Sequence, residues 1–170
     1  MISRKRILPT IILSIGLLIT TRAVEAQDYR TAIGLRFGGT SGLTVKHNYS
    51  EMGAFEGILG FFNNGFSITG LIERHPQAFN TRGLHWYYGG GAHLAIYDDH
   101  ERLEFGRNVG DRDVDDIGFG INGIVGLEYK FPDNVPIALS LGLKPFIEID
   151  TDGDVGFAPD PGFGLKFLIR

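Results

Sequence analysis

The chain of 170 residues contains no cysteine, so disulfides contribute nothing to its stability, and no lipid anchor can form on a cleavage-site cysteine. No transmembrane helix is expected either. The one long apolar run, Ile7–Thr20, falls short of the roughly 20 residues a span requires. After residue 26 no stretch has helical periodicity. Basic charge is scarce as well, with a formal net charge of −4. That balance argues against nucleic acid as a partner.

The first segment reads as a leader and not as part of a fold. Arg4, Lys5 and Arg6 precede the apolar run, and Val24-Glu25-Ala26 places small residues at −3 and −1 of a cleavage site. This is the pattern of a secretory signal peptide spanning residues 1–26, with the domain at 27–170. Removing Arg4, Lys5, Arg6 and Arg22 leaves 12 basic residues, and removing Glu25 leaves 19 acidic ones, a net of −7. What remains is one domain by length.

That domain alternates with a period of two. In Leu84–Tyr97, one face carries Trp86, Tyr88, Gly90, Ala92, Leu94 and Ile96, and the other carries Tyr87, Gly89, Gly91, His93 and Ala95. Successive side chains of a strand point to opposite faces, so this is a long strand. Seven further segments repeat the plan: Tyr29–Phe37, Gly42–Tyr49, Ala54–Phe62, Phe66–Arg74, Phe119–Phe131, Ile137–Ile147 and Phe163–Arg170. The fold class expected is all-β, an eight-stranded antiparallel up-and-down barrel crossing a membrane. Asn63-Asn64-Gly65 is a hairpin signal. Gly89-Gly90-Gly91 lacks the strand–turn–helix setting and the Lys-Ser/Thr ending of a phosphate loop. Pro145 falls inside a strand and predicts a bend or bulge there.

Alternation does not say which face is outside; a lipocalin-like barrel would hide the apolar face, a membrane barrel would show it. The polar faces hold mainly Gly, Ala, Ser, Thr and Asn, whereas a soluble surface carries charge at roughly 25–35% of positions. The outward aromatics also sort by height. Tyr29, Tyr49, Phe55, Trp86, Tyr88, Tyr129 and Phe131 fall at the rim where odd strands begin, and Phe37, Phe61, Phe66, Phe119 and Phe163 at the other. Two aromatic girdles around an aliphatic belt mark a membrane barrel.

The inward charges are then Arg36, Lys46, Glu56, Glu73, Glu128, Lys130, Lys144, Glu148 and Lys166. An eight-stranded interior has room for little but side chains, so these must pair as a structural network. The turn at Ser50–Gly53 sets Lys46 opposite Glu56. A conducting path is the alternative use of such charges.

Chemistry is hard to find. Only His93, of His47, His75, His85, His93 and His100, sits mid-strand facing inward, and it has neither a neighbouring Ser nor a carboxylate close in sequence. Catalysis needs a base and an orienter within reach, so no catalytic residue and no cofactor are expected. Two acidic stretches, Asp98–Gly118 and Asp150–Gly162, read as long loops at the rim opposite the N-terminus. Asp111, Asp113 and Asp115, and again Asp150, Asp152 and Asp154, have the look of oxygen-rich Ca²⁺ loops. Neither has Gly at the sixth position or Glu at the twelfth, so a solvated, repulsive loop is the plainer meaning.

GLRFGGTSGLTVKH, TRGLHWYYGGGAH, GIVGLEYKFPDNVPIALSLGLKP and GFGLKFLIR together resemble small outer-membrane β-barrel proteins of the Bacteroidetes type, over about Tyr29 to Arg170. The resemblance implies a bacterial outer-membrane location and fold, and brings no catalytic residues. One departure is the chain's end, Phe167-Leu168-Ile169-Arg170, where the nearest outward aromatic lies three residues in. The expectation is a monomeric barrel whose partners are outer-membrane lipid, lipopolysaccharide and the assembly machinery. Its role would be structural or at the surface, through the acidic loops. A narrow channel or small-ligand port is the alternative, and a lipid-modifying enzyme a third.

Overall fold

The computed structural model describes residues 29–62, 65–97, 116–132, 135–151 and 153–169. They form eight strands: β1 (Thr31–Gly38), β2 (Ser41–Asn48), β3 (Gly53–Phe62), β4 (Gly65–Arg74), β5 (Leu84–Tyr97), β6 (Asp116–Lys130), β7 (Ile137–Asp150) and β8 (Val155–Ile169). Each pairs antiparallel with its sequence neighbour, and β8 returns to β1, so the barrel is closed. The leader expected at 1–26 lies outside the described residues.

Register fixes the tilt. Partners run from Leu35 through Leu43, Leu59, Ile68, Leu94, Phe119 and Ile149 to Val155. Val155 lies seven residues before Gly162, the partner of Gly38, so the ladder rejoins β1 ten residues above Leu35. A stagger of this size in eight strands tilts them roughly 40° from the axis.

The wall is apolar outside and polar inside. Ile33, Leu35, Val45, Ile68, Ile72, Ile121, Leu141 and Leu165 all face outward and are exposed. The largest fully buried side chains are Lys46, Glu73, Glu128, Glu148, Thr44 and Thr69. A barrel folded to hide its apolar surface from water would have the opposite arrangement. Lumen side chains find room where the facing wall is glycine: a Cβ at Gly142 would overlap the Tyr87 hydroxyl, and one at Gly120 the His93 ring.

Four expectations need correction. The stretch read as the acidic loop Asp150–Gly162 is mostly strand. Asp150 ends β7, and its backbone and carboxylate bind Asp154 across a tight turn. β8 then starts at Val155. Here Val155, Phe157, Pro159 and Pro161 point out, while Gly156, Asp160 and Gly162 are buried. The prolines and the inward Asp160 conceal that alternation in the sequence. Second, of the bend or bulge expected at Pro145, the bulge does not occur. The β6–β7 register is the same on either side of it, and only the pairings between Asn122↔Phe146 and Val125↔Leu143 drop out. A missing N–H removes a ladder bond without requiring an extra residue.

Third, Tyr29 does not join the girdle. It precedes β1, turns into the end of the barrel, and is buried. Fourth, the link His75–Gly83 is no simple polar connection. His75 and Ala78 are buried, and Trp86 N–H donates to the Pro76 carbonyl at 2.9 Å. This link and Tyr29 cover the N-terminal end of the lumen.

Candidate functional site

The lumen is layered, and three strands show the order. Moving up from the N-terminal end, β3 presents Glu56, Ile58 and Phe62; β4 presents Glu73, Leu71, Thr69 and Ser67; β6 presents Glu128, Ile124 and Asn122. Each passes from a carboxylate to an aliphatic side chain, then to the distal part of the lumen.

The lowest layer is an ion-pair network built around Lys46. Its Nζ lies 2.9 Å from Glu56, 2.8 Å from Glu73 and 3.2 Å from Glu128. Lys166 Nζ reaches Glu56 at 3.1 Å and Glu128 at 3.3 Å. Register brings about the first of these contacts, because Lys46 and Glu56 are direct cross-strand partners. Thr44 donates its hydroxyl to Glu56, and Tyr29 donates to Glu128 at 3.1 Å. His75 stands 2.9 Å from Glu73 and stacks on Tyr87. Among the described residues, two lysines and His75 thus meet three glutamates in this layer. Burial, and next the charge of Glu128, push the Tyr29 phenol up from its ordinary range.

Ile58, Leu71, Tyr87 and Ile124 pack together above this network. They form an apolar floor. Beyond it opens a cavity of about 460 Å³, lined among others by Phe62, Ser67, His93, Tyr97, Phe146 and Ala158. Two polar clusters border it. Asp160 lies 3.5 Å from Arg36 and 3.1 Å from Lys144, and accepts from Thr40 N–H at 2.9 Å. His93 sits between Asn122 at 2.8 Å and Glu148 at 2.7 Å, and Tyr97 donates to Glu148 at 2.7 Å. Thr69 Oγ1, Asn122 Nδ2 and Arg36 Nε are buried and have no hydrogen-bond partner among the described residues.

Of the nine charges picked from sequence, Arg36, Lys46, Glu56, Glu73, Glu128, Lys144, Glu148 and Lys166 are buried. Lys130 is half-buried at the rim, with its ammonium 4.6 Å from the Tyr29 ring centroid. They form two separate groups, not one, with the apolar floor between. Two further members are not evident from the sequence: Asp160, which reads as a loop residue, and His75, which reads as part of a link. The Glu148 carboxylate beside His93 lies 55 positions away, and the register of β5 and β7 on Gly120 of β6 brings the two together. Asp111, Asp113, Asp115 and Asp152 lie outside the described residues. Asp150 and Asp154 close a turn, and among the described residues no three His, Asp or Glu side chains converge as metal ligands.

An inside-out, closed antiparallel barrel with a filled lower lumen and a distal vestibule is therefore the class to which this molecule belongs. Comparison with protein-family models, with curated proteins and with solved structures finds no match for the chain.

Proposed function

We propose that this chain is an integral protein of a bacterial outer membrane, with a structural or surface-interaction role carried at its distal rim. One observation carries the reading: the exterior is aliphatic and aromatic while the lumen holds the charges. In lipid every backbone polar group must be paired, and a closed barrel meets that condition. Resemblance to the Bacteroidetes-type barrels and the leader pattern at 1–26 support the location. Outer-membrane lipid, lipopolysaccharide and the assembly machinery are the partners that this location supplies.

The lower lumen supports a plug over a pore. Lys46, Glu73 and Glu128 are wholly buried in a mutually paired layer, and Tyr29 and His75 lie against it. Catalysis finds no support at His93, because Asn122 and Glu148 occupy both of its ring nitrogens. We read it as a residue that orders the lumen. Membrane fractionation tests the location. The protein should pellet with the outer membrane and run on gels as a heat-modifiable band. Recovery with the soluble periplasm after osmotic shock would overturn the reading.

A further inference from the structure

A cation stands on the outer wall of the barrel. Arg74, the last residue of β4, continues the outward alternation of Phe66, Ile68 and Ile72 and is itself exposed. Its cross-strand partners are Gly53 on β3 and Tyr88 on β5. A Cβ at Gly53 would strike the Tyr49 ring, so that ring lies over the glycine. The arginine therefore leaves the wall between two exposed tyrosines, Tyr49 on one side and Tyr88 on the other.

Arg74 makes no hydrogen bond or ion pair among the described residues. Glu73, the residue before it, is buried in the lumen, and Glu51, on the adjoining turn, makes no ion pair with it. The strands, turn and link around the arginine, 49–62 and 65–97, all belong to the described residues.

Arg74 also lies on the membrane side of the aromatic rim. After β4 the chain runs on beside β5: Trp86 N–H donates to the Pro76 carbonyl at 2.9 Å, and Ala78 N–H to the Leu84 carbonyl at 2.8 Å. Trp86 is thus nearer the N-terminal end than Tyr88, by roughly 7 Å along the strand. Beyond it, Thr81 N–H donates to the Ala78 carbonyl across a turn in which Phe79 and Asn80 hold φ of 50° and 53°. That conformation is strained for phenylalanine. It keeps a ring that is 70% exposed at 5.4 Å from Trp86. Toward the middle of the barrel come Phe55 and Ile72, cross-strand partners that are both exposed. The cation has apolar side chains above and below it.

A charge on the lipid face becomes costlier with depth, and aromatic rings mark the headgroup level. Water is reached by a long side chain only past Trp86 and Phe79. The anion at that level is the lipid phosphate. A guanidinium meets it with two parallel N–H bonds, and tyrosine hydroxyls donate to it as well.

We propose that Arg74 binds the phosphate of a glycerophospholipid in the leaflet at the N-terminal rim. Tyr49 and Tyr88 flank the headgroup, and the acyl chains lie along Phe55 and Ile72. This inference rests on the membrane-embedded reading, because the outer wall meets phospholipid only there.

The test uses the full mature protein in dodecyl maltoside micelles, with Trp86, the single tryptophan of the chain, as energy donor. Phosphatidylethanolamine with a dansyl group on its headgroup should accept that energy saturably, and unlabelled phosphatidylglycerol should displace it. Diacylglycerol of the same chains, and inorganic phosphate, should each compete roughly ten-fold more weakly or worse, the loss expected for one charge-assisted contact. Arg74→Gln should weaken binding of the dansyl lipid by about ten-fold. Arg30→Gln, at another exposed arginine, should leave it unchanged. Transfer that never saturates, equal competition by diacylglycerol or inorganic phosphate, or equal binding by the two variants would overturn the proposal. The competitor series uses the unaltered protein, so it stands even if a variant fails to fold. A protein that inserts into vesicles, with a heat-modifiable band, yet fails these comparisons removes this inference alone. One that does not insert removes the membrane reading too.

Discussion

Lys46 shows what a single lumen residue does. Its ammonium is completely buried and satisfies three carboxylates, so its removal strands charge in the interior. Lys46→Met should destabilise the barrel by about 3–5 kcal/mol, the usual cost of breaking a buried ion pair from one side. Urea unfolding from lipid vesicles measures it, and a midpoint unchanged from wild type would remove the network from the account. Tyr29 gives a pH dependence. Its phenol is raised in the folded state, so between the ordinary tyrosine value and that raised value the folded protein holds a proton the unfolded chain has lost. Stability contributed by this group is complete below about pH 10 and falls as pH rises beyond it. Tyr29→Phe should flatten the alkaline limb of the stability profile. An identical limb in the variant would contradict the assignment.

At the scale of the element, the strands differ in how openly the sequence declares them. β4 alternates cleanly, from Phe66, Ile68, Gly70 and Ile72 outside to Ser67, Thr69, Leu71 and Glu73 inside, and it reads directly. β8 does not, because three of its first seven residues are Pro159, Asp160 and Pro161, which are turn-forming in most settings. They are tolerated here by geometry that only closure reveals: the prolines lie where β8 has outrun β1, and Asp160 turns inward to Arg36 and Lys144. In the same way, the partners of His93 and Lys46 come from strands far away in sequence. Periodicity tells which face a residue takes, but not which strand stands across the lumen. Pro145 allows a direct check at this scale. The β6–β7 register is intact across it, so Pro145→Val should restore a ladder bond and stabilise by about 0.5–1.5 kcal/mol. Destabilisation in the same urea assay would mean that the wall there depends on the proline.

For the whole molecule, the decisive property is the inversion of a soluble protein's arrangement: charge within and hydrocarbon without. A filled ionic layer below a distal vestibule also predicts electrical silence. Purified protein in planar bilayers should give no regular single-channel steps, and reproducible conductance would favour the pore alternative instead. The absence of cysteine makes the inversion itself open to direct measurement. Single cysteines placed in turn from Ser67 to Ile72 on β4 can carry nitroxide labels, read for collision with molecular oxygen in lipid bilayers. Accessibility should oscillate with a period of two, high at Ile68, Gly70 and Ile72 and low at Ser67, Thr69 and Leu71. An oscillation of the opposite phase, or none, would contradict a barrel that shows its apolar face to the membrane.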